Sequence, residues 1–403
     1  MGVAIENIFE EYLNKRPIFS NKDILSIKYK PENIPHREEQ ISTVAKILAP
    51  CLRKEKPSNI FIYGKTGTGK SLCANYVCKQ LSNISEKKNI PLKIVYLNCK
   101  MGKVADTEYR LIAQLAREFG QTVPATGLPT SEVYKIFYEL IDEKEVITIL
   151  VLDEVDRLLD KCGDEVLYNL TRINQELKNA KLNIIGISND VTFINNLDPR
   201  VRSSLNEEEI VFPPYDALQI KDILNERAEQ AFNGGVISES VISKCAAYAA
   251  REHGDARRAL DLLRVAGELA ERMGKDKVEE EDVDSAEEKI EKETIEEVVE
   301  KLPKQSQSVL YATLLLLKNR KEEEEVYTGE IYDVYKSVCI RTSSKPLTQR
   351  RVSDLIAELD MMGIINAKVI SKGRYGRTRE ISLSMTKEIV NNVGKNLKTN
   401  LGL

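Results

Sequence analysis

Tryptophan is absent from the 403-residue chain, and histidine occurs only twice, at His36 and His253. Two histidines exclude a multi-histidine metal centre, and they argue against hydrolases in which a histidine activates a serine or a cysteine. The seven cysteines lie at irregular spacings and form no C-x-x-C pair. We therefore expect free thiols in a reducing compartment, with neither a disulfide framework nor a zinc site.

Long hydrophobic runs are also missing. The longest strongly apolar run, residues 146–152, is far shorter than the ~20 residues that a membrane-spanning helix needs. Residues 1–6 carry no cationic apolar leader, and Glu6 stands where a myristoylation site needs serine or threonine. These features predict a cytoplasmic protein without a membrane partner.

Charge is distributed unevenly along the chain. The net charge is −4, but residues 276–300 hold 13 aspartates and glutamates against 3 lysines. Residues 301–403 hold 18 lysines and arginines against 11 acidic residues. A basic C-terminal quarter is compatible with a nucleic-acid partner, although the whole chain is acidic.

Short apolar strands alternate with helical stretches over the first half of the chain. The strands are predicted at residues 59–63, 93–98, 146–152, 182–188 and 210–212. Such alternation predicts an α/β fold with a five-stranded parallel sheet covered by helices on both faces. After Pro213 and Pro214 the strands stop, and a compact subdomain of three helices is predicted at 216–232, 238–252 and 255–272.

The basic C-terminal part shows a different pattern, three helices followed by a β-hairpin. The helices are predicted at residues 303–319, 328–339 and 347–361, and the hairpin strands at 364–370 and 378–384. This order is typical of a winged helix. The acidic residues 276–300 are expected to form a solvated helical connector that leads into it.

A phosphate-binding motif lies between the first strand and the following helix. Residues 64–71 (GKTGTGKS) match G-x-x-x-x-G-K-[ST]. Backbone N–H groups of this loop would wrap the phosphates of ATP or ADP, Lys70 would reach the β- and γ-phosphate oxygens, and the Ser71 hydroxyl would bind Mg²⁺. The predicted nucleotide-binding residues of the loop are Gly64, Gly67, Thr68, Gly69, Lys70 and Ser71.

Two carboxylates, Asp153 and Glu154, end the most apolar strand. At the edge of the sheet where the phosphate loop lies, Asp153 would hold Mg²⁺, and Glu154 would polarise the water that attacks the γ-phosphate. In isolation such a pair would simply cap the following turn. The phosphate loop upstream in the same sheet favours the catalytic interpretation.

Other polar residues near the predicted strand ends have two interpretations each. Asn189 follows the fourth strand and could orient the attacking water, or it could be an ordinary turn residue. Arg200 and Arg202 lie on a short helical turn, and either could stabilise the phosphate charge of a neighbouring subunit. Arg257, at a helix start, could reach the γ-phosphate. Each arginine alone is more often part of a surface ion pair.

The third C-terminal helix has a buried and an exposed side of different chemistry. The predicted buried stripe consists of Val352, Leu355, Ile356 and Leu359. Gln349, Arg350 and Ser353 then face a DNA groove near the helix start, where base contacts are made. Candidate phosphate or minor-groove contacts on the hairpin are Lys372, Arg374, Tyr375 and Arg377. A winged helix that binds only proteins, or a merely solvated basic hairpin, would show the same pattern.

These motifs, in this order, resemble those of an AAA+ ATPase. More narrowly, the chain resembles the archaeal origin-recognition initiators, which are related to eukaryotic origin-recognition and helicase-loading subunits. The segments similar to that family's N-terminal, lid-entry and winged-helix openings are 34–40 (IPHREEQ), 212–215 (FPPY) and 302–311 (LPKQSQSVLY). The similarity extends over nearly the whole length.

The resemblance implies roles for several residues. Asn189 would be the first sensor residue and Arg257 the second. Of the two candidates for the arginine finger, we prefer Arg202, and Arg200 is the second choice. Tyr215 and Arg227 match positions that touch the nucleotide from the lid, although an isolated tyrosine is more often a core residue.

The resemblance also implies a domain organisation. It places an AAA+ domain at residues 1–213, a lid at 214–275, the acidic connector at 276–300 and a winged helix at 301–403. An initiator-specific helical insertion that meets duplex DNA is implied near residues 99–125, with Lys100 and Lys103 as candidate contacts. A solvent-exposed loop with incidental lysines explains these two residues nearly as well.

By this resemblance the protein is an ATP-dependent DNA replication initiator with weak ATPase activity, bound to Mg²⁺ and associated with the nucleoid. It would bind double-stranded origin DNA, act with sister initiator proteins, and recruit or load the replicative minichromosome-maintenance helicase. ATP binding and hydrolysis would act as a switch. Two rivals share the motifs: an AAA+ ATPase that acts on protein partners, as clamp loaders and signalling ATPases do, and an ATP-dependent transcription regulator.

Overall fold

Buried strands and amphipathic helices alternate in the computed structural model, as the sequence predicts. It describes residues 10, 12–100, 107–124, 126–190, 192, 197–205, 207–318, 326–371, 377–383, 385 and 387–403. None of the helices in these ranges combines the length and the apolarity needed to cross a membrane. Contacts divide the chain into two units, Met1–Val283 and Asp284–Leu403.

A parallel sheet organises the first unit. Its strands are β1 (Asn59–Tyr63), β2 (Leu92–Asn98), β3 (Ile147–Asp153), β4 (Lys181–Ser188) and β5 (Glu207–Val211). They pair in the order β2-β3-β4-β1-β5, and each of these pairings is parallel. The predicted five-stranded parallel sheet is therefore confirmed. Because β4 lies between β1 and β3, the residues that follow these three strands meet at one edge.

Both faces of the sheet are buried because its inner strands are apolar at nearly every position. Along β1, Phe61 and Tyr63 pack into the core on one face, and Ile60 and Ile62 pack into the core on the other. β3 is buried along its whole length. Strands of this kind belong to parallel sheets with helices on both sides.

Helices cover the two faces of this sheet. They are α1 (Glu38–Leu48), α2 (Lys70–Lys87), α3 (Glu108–Glu118), α4 (Thr130–Asp142), α5 (Val155–Cys162), α6 (Glu165–Arg172) and α7 (Pro199–Leu205). α1 and α2 pack on one face, and α3 to α7 contribute to the core on the other. The phosphate loop therefore lies where β1 passes into α2.

Three further helices complete the first unit. They are α8 (Ala217–Ala231), α9 (Glu239–Arg251) and α10 (Ala256–Arg272). Asp216, Ser238 and Asp255 cap these helices by accepting hydrogen bonds from backbone N–H groups of the first turn. The segment that precedes the sheet packs on them, since the rings of Phe19 and Phe232 lie 4.7 Å apart.

A long acidic helix, α11 (Glu280–Lys301), spans the division between the two units. The acidic segment is therefore helical, as predicted. Its apolar side chains are not all solvated, however, because Val283 and Ala286 are buried and Val299 belongs to the core of the second unit.

The second unit combines helices with a small antiparallel sheet. Its helices are α12 (Lys304–Lys318), α13 (Thr328–Arg341), α14 (Gln349–Met361) and α15 (Lys387–Leu401), and its strands are β6 (Val326–Tyr327), β7 (Ile365–Ser371) and β8 (Arg377–Leu383). The strands pair in the order β6-β8-β7. Helices α12 to α14 and the β7–β8 hairpin confirm the predicted winged helix, and β6 and α15 are additions that the sequence analysis missed.

Candidate functional site

Lys70 is held inside the phosphate loop. It is 6% exposed, and its Nζ donates to the carbonyl oxygens of Gly64 and Lys65, both at 2.6 Å, and to Asn189 Oδ1 at 2.9 Å. Burial, and after it the charge of Arg257, lower the pKa of Lys70 to about 8. The structure thus brings Asn189 to the phosphate loop, and it leaves the ammonium group poorly hydrated, which favours an anionic phosphate as its partner.

Gly67 allows the helical subdomain to touch the phosphate loop. Its φ is 71°, and a Cβ atom on it would lie 1.7 Å from Asp255 Oδ1 at the start of α10. Its carbonyl oxygen also accepts a hydrogen bond of 3.4 Å from the backbone N–H of Ala256. Glycine supplies here both the left-handed conformation and the close approach. Arg257, on the first turn of α10, is thereby brought close enough to Lys70 to lower its pKa.

Asp153 lies at the C-terminal end of β3, beside the start of α2. It is 7% exposed and accepts a hydrogen bond from the hydroxyl of Tyr96 on β2. The same hydroxyl interacts with Ser71 and Asn75, so Ser71 and Asp153 lie around one oxygen atom. A hydroxyl and a carboxylate are hard oxygen donors, the kind that Mg²⁺ takes together with phosphate oxygens and water. The residues present therefore fit the ion that the sequence predicts.

Glu154 has a backbone conformation that is uncommon for a residue with a side chain, with a φ of 55°. Its carboxylate is largely shielded, and Oε2 lies 3.8 Å from the Nζ atom of Lys100. Lys100, a predicted DNA contact, thus lies beside the predicted catalytic base, and its contact with DNA stays a prediction. Lys103 lies outside the described residues.

A cavity of about 400 Å³ opens beside the phosphate loop. Its lining includes most of residues 26–35, together with Tyr215, Arg227 and Arg257. The apolar lining includes Ile27, Ile34, Leu72, Ile223 and Leu260. Such a lining suits a flat aromatic base more than a phosphate. The sequence analysis did not assign segment 26–35 to the site, because only the tertiary fold carries it there.

Tyr215 and Arg227 line this cavity, but both side chains already have partners. Tyr215 is 5% exposed, and the Cζ atom of Arg37 lies 3.8 Å from the centre of its ring. Burial raises the pKa of Tyr215 to about 12. Arg227 donates to the carbonyl oxygen of Ile24 at 3.2 Å and lies over the ring of Tyr29. Their contact with a nucleotide stays a prediction.

Arg200 and Arg202 on α7 differ in their surroundings. Arg200 is held by Asp198, with Nη2 at 3.1 Å from Oδ2 and Nε at 3.2 Å from Oδ1. Arg202 is exposed, and its side chain forms no hydrogen bond or ion pair with the part of the chain that the structure describes. An unpaired cation is available to a neighbouring subunit, whereas Arg200 would first have to leave Asp198. The difference favours Arg202 over Arg200, and the arginine-finger role itself stays a prediction.

In the second unit, the predicted base-reading residues share one groove. Gln349 and Arg350 are exposed and Ser353 is half-buried, and all three line a groove of about 1030 Å³ between α13, α14 and the hairpin. The predicted buried stripe of α14 is confirmed by the buried Val352, Leu355, Ile356 and Leu359. These residues hold the helix on its core, so its polar side faces outwards.

Three carboxylates line the same groove, and each has a partner; Asp354 Oδ2 lies 4.0 Å from Arg351 Nη1. Asp333 pairs with Lys336 at 2.9 Å, and Glu330 Oε2 accepts a hydrogen bond of 3.0 Å from the backbone N–H of Tyr327. Their negative charge is therefore partly balanced, which lowers the repulsion that a phosphate backbone would meet here.

The neighbouring Arg350 and Arg351 on α14 differ in whether their side chains have partners. Arg351 Nη1 lies 3.4 Å from Glu358 Oε1, whereas Arg350 has no side-chain partner within the described ranges. Of the hairpin candidates, Lys372, Arg374 and Tyr375 lie outside the described residues, as does the side chain of Arg377, whose backbone begins β8. Arg350 is thus the predicted DNA contact that the structure presents most clearly.

Known proteins are similar to the chain over nearly its full length. Residues 53–190 match an AAA domain, residues 221–288 match the Cdc6 AAA+ ATPase-type lid domain, and residues 297–393 match the CDC6 C-terminal winged helix domain. An ORC1-type DNA replication protein of Pyrococcus furiosus is 56% identical over 395 residues, which is 97% of this chain and 93% of that protein. The chain belongs to the ORC1-type DNA replication proteins. The predicted archaeal initiator family is therefore confirmed.

Other ORC1-type proteins agree with this assignment. An ORC1-type DNA replication protein 1 of Methanosarcina mazei is 54% identical over 385 residues, or 96% of this chain and 92% of that protein. The structure of the Aeropyrum pernix ORC1 protein in complex with DNA is 44% identical, with a TM-score of 0.83, and the match covers 96% of this chain and 98% of that one. The AAA+ and winged-helix folds are thus those of the family.

Proposed function

We propose that this ORC1-type protein is an ATP-dependent DNA replication initiator that binds double-stranded origin DNA. The observation that carries the proposal is the pairing, in one chain, of the buried Lys70 in a phosphate loop with the exposed Arg350 on a winged-helix recognition helix. A 44% identical relative whose structure was solved in complex with DNA supports it.

In the first unit, some residues bind ATP and others take part in its hydrolysis. Lys70 and the loop N–H groups bind the phosphates, and Ser71 and Asp153 would hold Mg²⁺, which would neutralise charge on the phosphate oxygens. Glu154 accepts the proton of the water that attacks the γ-phosphorus, and Asn189 positions that water. We expect slow hydrolysis, since its purpose is to switch the protein between states.

Between subunits, arginines would complete the site. Arg202 reaches the γ-phosphate of a sister initiator, because it is exposed and unpaired within the described residues. Arg257 acts within its own chain: it lies near Lys70 and senses whether the γ-phosphate is present. The nucleotide state then controls recruitment of the replicative minichromosome-maintenance helicase.

In the second unit, Gln349, Arg350 and Ser353 contact base edges, and the basic hairpin contacts phosphates. Arg350 would make a bidentate contact with guanine, and the absence of a side-chain partner among the described residues supports this role.

A filter-binding titration of duplex DNA against salt tests the proposal. Each neutralised phosphate adds about −0.9 to the slope of log K on log salt, so roughly six contacts predict a slope near −5. A flat slope, or no binding to duplex DNA at low salt, would contradict the proposed function. The Lys70→Ala protein serves as a control that keeps the winged helix and loses the nucleotide.

A further inference from the structure

Arg37 is a buried arginine at the junction of three segments. It immediately precedes α1 and is 2% exposed. Its Nε donates to the carbonyl oxygen of Thr68 at 2.9 Å, Nη2 to that of Pro213 at 2.6 Å, and Nη1 to that of His36 at 3.3 Å. One guanidinium group therefore joins the phosphate loop to the linker that leads from β5 into α8.

Aromatic rings enclose the same guanidinium group. Its Cζ atom lies 3.8 Å from the ring centre of Tyr215 and 5.5 Å from that of Phe212. Within the described residues, no carboxylate lies at ion-pair distance from Arg37. A buried cation is costly unless it is bonded, and here carbonyl oxygens and ring faces replace a counter-ion. An apolar side chain would fill this space but would give the carbonyl oxygens of Thr68 and Pro213 no donor, so packing alone does not explain an arginine here.

The groups that Arg37 contacts belong to a continuous series of contacts. Thr68 is part of the phosphate loop, and a Cβ atom on the next residue, Gly69, would lie 3.0 Å from the hydroxyl of Tyr215. The backbone of Tyr215 packs against Gly254, where a Cβ atom would lie 2.3 Å from the Tyr215 carbonyl oxygen. Gly254 leads directly into α10. Direct contacts thus run from the phosphate loop through Arg37 and Tyr215 to the start of α10.

We propose that Arg37 is a positioning residue that couples nucleotide binding at the phosphate loop to the lid linker, residues 212–216. The planar guanidinium fork bonds the Thr68 and Pro213 carbonyl oxygens at once, so a shift of one is transmitted to the other. A lysine would keep the charge, but it has no fork and does not stack in the same way. The inference rests on the proposed binding of ATP.

Amide hydrogen exchange on the full chain, with and without a non-hydrolysable ATP analogue and Mg²⁺, tests the coupling. In the native protein the nucleotide is expected to slow exchange both in residues 64–71 and at the linker amides of Phe212, Tyr215 and Asp216, since Pro213 and Pro214 carry no N–H group. In Arg37→Lys the protection of 64–71 remains, whereas the nucleotide-dependent protection of the linker falls about tenfold. Arg53→Lys, a change at an exposed arginine, should behave as the native protein.

The outcomes separate the inference from the proposed function. Linker protection in Arg37→Lys equal to that of the native protein overturns the coupling role, and so does parallel loss of protection in both segments, which marks a purely structural residue. If Arg37→Lys does not fold, Phe212→Leu decides, because loss of the ring that lies 5.5 Å from the guanidinium group should also remove linker protection selectively. A native protein that shows no nucleotide-dependent protection of 64–71 refutes ATP binding itself.

Discussion

The phosphate loop and the recognition helix hold their cations in opposite ways. Lys70 is 6% exposed and is bonded to three oxygen atoms of its own unit, whereas Arg350 is exposed and has no side-chain partner among the described residues. Chemistry on a small ligand benefits from groups whose geometry is fixed beforehand. Contact with an extended polyanion needs charge that can reach outwards. The difference indicates that one unit is built for reaction and the other for recognition.

The first way to test this contrast is to remove the base from the reaction unit. In Glu154→Gln, hydrolysis should fall by roughly 10²–10⁴-fold, because the amide accepts no proton from the attacking water. ATP affinity should remain, since the substituted atoms do not bind the phosphates. Single-turnover phosphate release measures the effect, with the exposed Glu143→Gln as a matched control. Normal turnover in Glu154→Gln would remove Glu154 from the base role.

A second change removes the buried ammonium group of the phosphate loop. Lys70→Ala should weaken ATP binding by about 100-fold or more, because the charge-assisted contacts to phosphate are lost and two loop carbonyls lose their donor. Equilibrium titration with a fluorescent ATP analogue measures it. Lys65→Ala, an exposed lysine of the same loop, should change affinity little. Equal effects of the two changes would show that burial of Lys70 has no special role.

A third change addresses the recognition unit alone. Arg350→Ala should lower affinity for duplex DNA about tenfold, in line with the loss of one base or phosphate contact, and leave ATP binding unchanged. Arg351→Ala should cost less, since Arg351 already faces Glu358 within its own helix. An Arg351→Ala effect larger than that of Arg350→Ala would contradict the assignment of the groove-facing side.

The smallest expected effect is the uptake of a proton when ATP binds. Burial lowers the pKa of Lys70 to about 8 in the free protein, and bound phosphates would raise it again. Above pH 8, ATP binding should therefore take up close to one proton, and affinity should fall as pH rises. Calorimetry in two buffers of different ionisation enthalpy measures the uptake. Lys70→Arg should take up none, because a guanidinium stays protonated. Absence of uptake in the native protein would contradict the low pKa.

Contiguous motifs could be predicted from the sequence, whereas tertiary neighbours could not. β1 was predicted with its exact bounds, because a short apolar run ends at the glycine of the phosphate loop. In the sequence, Arg37 stands only within a segment similar to the family's N-terminal opening, and no role follows from that position. The carbonyl groups that it binds lie 31 and 176 residues further along the chain, so no local pattern marks it. Tyr96 was missed for the same reason, since Asp153 is 57 residues away.

Weak periodicity explains the remaining differences. β5 begins at Glu207, three residues before the predicted start, because a strand at the edge of the sheet tolerates exposed side chains such as Glu208 and Glu209. Helix α15 was missed because its buried residues recur only every fourth position among asparagines, lysines and a glycine. Those buried residues are Ile389, Val393 and Leu397.

The most direct test of the central claim is a footprint on candidate origin duplex, measured with and without ATP. We expect the native protein to protect one bounded tract, with protection that changes when ATP is added. The Arg350→Ala protein should lose this tract while it still binds ATP. Protection of the same tract by Arg350→Ala, or no tract for the native protein in either nucleotide condition, would contradict the account.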